Sequence, residues 1–195
     1  MTIHKDEIER CIATNGNKLS AARKIYLSYP TAAFGDDYDV EFEIRDKIAS
    51  FFEVDIHCVQ FTGSAKTGWS FHARKAFQKG ESDLDAAIIS PEKFLSYMKL
   101  LSISTKDYTD LSGFSRTREG VSHSKIMQDN IARHTMINMK IMPSGKEKNR
   151  TREFFNKLTR EYNDLFGDIS VAIYGSAYFF ENKQRLGFPS RREAL

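Results

Sequence analysis

The chain has few of the features that would staple it, span a membrane or split it into parts. Only two cysteines, Cys11 and Cys58, occur among its 195 residues. At most one bridge can form, which excludes a disulfide-built mini-fold. With no apolar leader in residues 1–6, the expectation is two free thiols in a reducing cytoplasm. No apolar run approaches the roughly 20 residues that cross a bilayer, so no membrane partner is expected. Four prolines and eleven glycines leave no linker rich in either. No repeat or low-complexity tract marks a boundary, so residues 1–195 read as one domain. Carboxylates thin out in residues 113–160, with four against eleven lysines and arginines, a net of +7. Residues 1–60 carry eleven against seven, a net of −4. The basic stretch has few acids of its own to pair with. It therefore suits a polyanion, single-stranded nucleic acid being one, unless it is simply a solvated helical face.

What remains is ordinary globular material: 41% apolar, 28% charged, and fifteen phenylalanines that predict an aromatic-rich core. Apolar spacing predicts helices over 4–14, 19–26 and 39–52, making residues 1–55 an N-terminal helical part. Residues 56–61 are short, β-branched and aromatic and read as a strand, as do 83–90 and 169–174. Residues 73–77 fit the continuation of a helix. Ser90 caps and Pro91 opens a helix over 92–101. Residues 102–124 read as a long loop able to cover a substrate. Helices follow over 124–138 and 148–165, the latter stopping at Gly167, and a last one begins at Tyr178. The fold class is α+β: a small mixed sheet flanked by helices.

Chemistry concentrates in residues 56–90. The first strand stops at Thr62-Gly63-Ser64-Ala65-Lys66-Thr67-Gly68. Gly63 and Gly68 permit a tight turn and close backbone approach to a ligand. The Ser64 hydroxyl and the Lys66 ammonium suit phosphate oxygens. A spacer of 18 residues, Ala65 to Ser82, leads into Asp83-Leu84-Asp85-Ala86. Two carboxylates at i and i+2 point to one face of a strand and repel. A divalent cation relieves that repulsion, and Mg²⁺ (or Mn²⁺) prefers such oxygen ligands, completed by substrate phosphates.

Gly63-Ser64 followed by Asp83-Leu84-Asp85-Ala86 resembles the signature of the polymerase-β-like nucleotidyltransferases, with a longer spacer than is usual. The resemblance covers residues 56–90. It implies that Asp83 and Asp85 bind the metal of a nucleoside triphosphate, and that Gly63, Ser64, Lys66 and Ser82 hold the nucleotide. It implies transfer of a nucleoside monophosphate to a hydroxyl. Short oligonucleotides, as made in antiphage defence, are one product. Nucleotidylation of a protein partner is an alternative, and a catalytically weak nucleotide-binding module is another. Members carry a third carboxylate on a later strand. Ser170 stands at that place, and Asp168, two residues earlier on the same face, either substitutes or merely follows the glycine stop. Tyr174 and Tyr178 either stack on a base or belong to the core.

Overall fold

A computed structural model describes residues 3–14 and 16–189. Its centre is a four-stranded mixed sheet in the order β1-β4-β6-β5. The strands are β1 (Val59–Thr62), β4 (Leu84–Ile89), β5 (Met136–Asn138) and β6 (Ile169–Tyr174). β4 runs antiparallel to β1 and parallel to β6, and β5 closes the far edge antiparallel to β6. A separate two-stranded ribbon pairs β2 (Trp69–Ser70) with β3 (Lys75–Ala76). The helices are α1 (Ile3–Ala13), α2 (Lys18–Leu27), α3 (Tyr38–Phe52), α4 (Gly63–Thr67), α5 (Pro91–Ser104), α6 (His123–His134), α7 (Lys146–Glu161) and α8 (Ala177–Leu186).

Alternation along the central strands sorts the core into two layers. Leu84, Ala86 and Ile88 of β4, with Ile169, Val171 and Ile173 of β6, face α3, α5 and α7. Ala87, Ile89, Ala172 and Tyr174 face the other way, onto Ile8 and Ile12 of α1, Ile25 and Tyr26 of α2 and Phe180 of α8. The first layer is aromatic-rich, as composition predicts: Phe34 meets Phe61 at 5.6 Å and Phe166 at 5.5 Å, and Phe51 stacks on Phe154 at 4.0 Å. Local chemistry sets the helix ends. Asn17 accepts from the amides of Leu19 and Ser20, and Ser90 from that of Lys93, with Pro91 in the first turn.

Several boundaries differ from the sequence reading. Residues 56–58 form a 3₁₀ turn, so the first strand is shifted to 59–62. Residues 73–77 are not helical: Lys75 and Ala76 pair with Ser70 and Trp69. The helix expected over 124–138 stops at His134, because Thr135 turns left-handed (φ 44°) and hands the chain to β5. The segment over 102–124, expected to be a loop able to cover a substrate, is anchored. Phe114 is buried in the first layer, and Arg116 and Ser122 form a β-bridge. Residues 190–195 lie outside the described residues.

α7 ends at Glu161, several residues before Gly167, so that glycine is not its cap. Its reason is steric. The Gly167 amide donates to the Ser82 carbonyl at 3.1 Å, and a Cβ there would lie 2.5 Å from the Glu81 carbonyl oxygen. This contact and the Leu84 amide on the Asp168 carbonyl (2.8 Å) align the first residues of β4 and β6. Gly167→Ala should therefore cost about 1–3 kcal/mol, read by urea unfolding, through forced backbone displacement. An unchanged midpoint would mean that the two strand starts are not held this closely.

Candidate functional site

The sheet pairing brings the two motifs together. Thr62 of β1 lies opposite Asp85 of β4, and Asp85 lies opposite Ser170 of β6. One row across three strands thus carries Thr62, Asp85 and Ser170. These residues, with Asp83, belong to the face that α1, α2 and α8 cover further along. Gly63 follows with φ +68° and opens α4. A Cβ on Gly63 would sit 2.8 Å from Asp85 Oδ2, so the glycine is required both by its backbone angle and by the carboxylate beside it. The Ser170 hydroxyl donates to Asp85 Oδ1 at 2.8 Å.

Asp83 sits at the start of its strand with its carboxyl held above the usual range. Partial burial is the main cause, and the charges of Asp168 and Asp85 add to it against the opposing pull of Lys140. Asp168 is already committed: Oδ2 to the Lys140 ammonium at 2.7 Å, Oδ1 to the Ile169 amide at 2.9 Å and the Thr159 hydroxyl at 3.4 Å. The register leaves Ser170, not Asp168, beside Asp85. No three His, Cys, Asp or Glu side chains among the described residues are grouped to hold a metal ion. The Ser170 hydroxyl meets the Asp85 carboxylate, and Asp83 is close enough to feel the Asp85 charge. This donor set fits a hard divalent ion that takes its remaining ligands from phosphate and water.

Two expected residues, Lys66 and Ser82, do something else. Lys66 is not a mobile cation. It is 2% exposed, and its ammonium donates to the Tyr29 carbonyl at 2.5 Å. With the amides of Ala32 and Ala33 on the carbonyls of Lys66 and Ala65, it braces α4 against the segment after α2. The α4 turn points its fourth residue inward, and burial brings the Lys66 pKa from 10.5 down to about 8. Ser82 accepts from the Gln78 amide at 3.0 Å and shapes the turn before Asp83. Tyr174 is core: it is 4% exposed and packs edge-on against Phe180 at 5.3 Å. Tyr178 is 65% exposed, at the start of α8.

Facing Gly63 and Asp85 is a cleft of about 620 Å³ whose far wall comes from α6 and α8, including Arg133, His134, Lys183 and Gln184. These groups lie far from the motifs in the chain, and the sequence shows only the basic character of Arg133, His134 and Lys183. Arg133 pairs with Asp129 at 3.3 Å. His134 is buried, and its pKa is lowered by burial and by the nearby Lys183 and Arg133. The basic stretch has more internal partners than composition implies. Arg150 pairs with Glu147 and lies over the Phe51 ring at 4.2 Å, and Lys140 pairs with Asp168. Cys11 and Cys58 are free thiols. No helix among the described residues is long and apolar enough to cross a membrane.

Comparison with protein-family models, with curated proteins and with solved structures returns no match to this chain.

The burial of Lys66 has a pH signature. Below pH 8 the folded and unfolded chains both hold the proton. Between about 8 and 10.5 the unfolded chain holds it and the folded chain does not, so stability rises with pH in that window. Wild type should gain up to about 3 kcal/mol relative to Lys66→Met across it, by urea unfolding at a series of pH values. Parallel profiles would show that the ammonium is not buried in solution.

Proposed function

We propose that the chain is a divalent-metal-dependent nucleotidyltransferase of the polymerase-β-like kind, moving a nucleoside monophosphate from a triphosphate to a hydroxyl acceptor. What supports the reading above all is the meeting of the two motifs: Gly63, closing β1, lies against the carboxylate of Asp85, more than twenty residues later in the chain. In this reading Asp83 and Asp85 hold Mg²⁺ or Mn²⁺, which when bound neutralises charge on the triphosphate. The Gly63 turn lets phosphate approach the backbone, with the Ser64 hydroxyl as a further donor. Lys183 and Arg133, across the cleft, offer the cations that Lys66 does not. The acceptor hydroxyl loses its proton to solvent as its oxygen bonds to the α-phosphorus, the bond to the β-phosphate oxygen breaks and pyrophosphate leaves. Positioning in the cleft and fixed charge supply most of the acceleration.

A second reading has its own support. Where the resemblance implies a third acid, Ser170 spends its hydroxyl on Asp85, and Asp168 is neutralised by Lys140. That arrangement favours a nucleotide-binding module of weak catalytic power.

Incubation with each labelled ribo- and deoxynucleoside triphosphate, Mg²⁺ and either oligonucleotide or cell protein, followed by product separation, tests both readings. Incorporation is expected, falling at least about 10²-fold in Asp83→Asn/Asp85→Asn. The double variant should keep its circular dichroism spectrum, because like-charge repulsion is relieved. Labelled oligonucleotide or labelled protein identifies the acceptor. Mg²⁺-dependent triphosphate binding without incorporation selects the second reading, and undiminished transfer by the double variant overturns the first.

A further inference from the structure

Beside Asp168 and Ser170 lies a second cavity, of about 220 Å³, walled by the first half of α7, by residues 139–140 and by the start of β6. Three cations line it: Lys140, Lys148 and Arg152. Asp168 is its carboxylate, and it is already bonded to Lys140. Lys148 has no carboxylate partner among the described residues. Arg152 reaches the Asn149 side-chain oxygen at 3.3 Å and no carboxylate among them. Lys148 and Arg152 stand four residues apart on α7, a spacing at which like charges oppose the helix. Burial and the Arg152 charge together hold the Lys148 ammonium below its ordinary range.

Between them is an independent sign of a missing ligand. Thr151 lines the same cavity, is 4% exposed, and its hydroxyl has no hydrogen-bond partner. Glu147, one turn back, is near enough for that hydroxyl to help lower its carboxyl, but no hydrogen bond of good geometry joins them, and the Glu147 oxygens accept from Tyr97 (2.6 Å) and Arg150 (3.1 and 3.2 Å). A buried hydroxyl left unpaired is costly, and so is a pair of crowded cations. A tetrahedral oxyanion relieves both: Arg offers a fork of donors, Lys a point charge, and Thr a single O–H. The volume is below the roughly 300–1,000 Å³ of drug-sized sites, and suits a phosphoryl group with part of a sugar against Met139, Phe155 and Val171.

We propose that this cavity is an anion site that seats the phosphate of a nucleotide-type acceptor next to the candidate active site. Ser170 belongs to both, lining the cavity and bonding Asp85. The acceptor role rests on the transferase reading; the anion site does not.

Inorganic phosphate titrated by calorimetry at fixed ionic strength, without divalent metal, tests it. Wild type and Asp83→Asn/Asp85→Asn should each bind one phosphate, the double variant no more weakly because it loses two negative charges near the cavity, so a failure of the aspartate reading leaves the measurement intact. Lys148→Ala/Arg152→Ala should bind at least tenfold more weakly. Thr151→Val, which removes the orphan hydroxyl at constant shape, should melt no lower than wild type and bind several-fold more weakly. It carries the comparison if the double variant does not fold. Millimolar phosphate that fails to bind wild type, or that binds all variants equally, overturns the site. Competition by AMP alone assigns a free nucleotide, and competition by a 5′-phosphorylated oligonucleotide but not its dephosphorylated twin assigns a strand end. Competition by none of them overturns the acceptor role.

Discussion

The pairing of β4 with a strand on each side carries the rest of this structure. Its hydrogen bonds set Thr62, Asp85 and Ser170 in one row, and the row sets the distance from the Gly63 turn to the Asp85 carboxylate. A slip of one residue on either side would turn Asp85 into the aromatic layer and Leu84 out of it. Burial of Leu84, Ala86 and Ile88 against α3, α5 and α7 makes such a slip costly. The chemistry of the sheet end is thus enforced by apolar contacts on the opposite face.

That division of labour also explains the charge at the site. The second face is covered by α1, α2 and α8 over Ala87, Ala172 and Tyr174, while Thr62, Asp83, Asp85 and Ser170 lie beyond that cover. Carboxylates gathered there need compensation. Lys140 supplies it for Asp168, and the proposed metal would supply it for Asp83 and Asp85. Lys183 stands across the cleft, and Arg133 beside it is paired with Asp129.

Elements with a full apolar period are legible in the sequence. β4, β6, α3 and α5 lie close to where composition or helical spacing puts them, α7 does so except at its end, and the two motifs meet across the sheet. Strands of two or three residues carry no period, which is why β2, β3 and β5 escape a reading of the sequence. Lys66 misleads for a related reason. A lysine in a glycine-flanked polar stretch looks solvent-exposed, and only the turn of α4 and the Tyr29 carbonyl waiting for it make the interior possible. Lys140, Arg133 and Lys183 reach the sheet end by tertiary packing, which no local pattern encodes. Composition likewise overstates how free the basic stretch is, since it counts charges without knowing which carboxylates fold back to meet them.

The long reach between the two parallel strands has a bearing on how the molecule comes to exist. The residues that meet as Asp85 and Ser170 are 85 positions apart, and everything between them must be made before they can pair. During synthesis, β4 can zip onto β1 early, while its other edge waits, rich in alanine and isoleucine and open to any strand that passes. Parallel contacts of such long sequence separation form slowly, and unpaired apolar edges are where nascent chains stick together. The step that completes the row of Thr62, Asp85 and Ser170 also removes that hazard. A chain interrupted ahead of β6 would have neither a finished cleft nor a protected edge, and quality control would meet it as one defect.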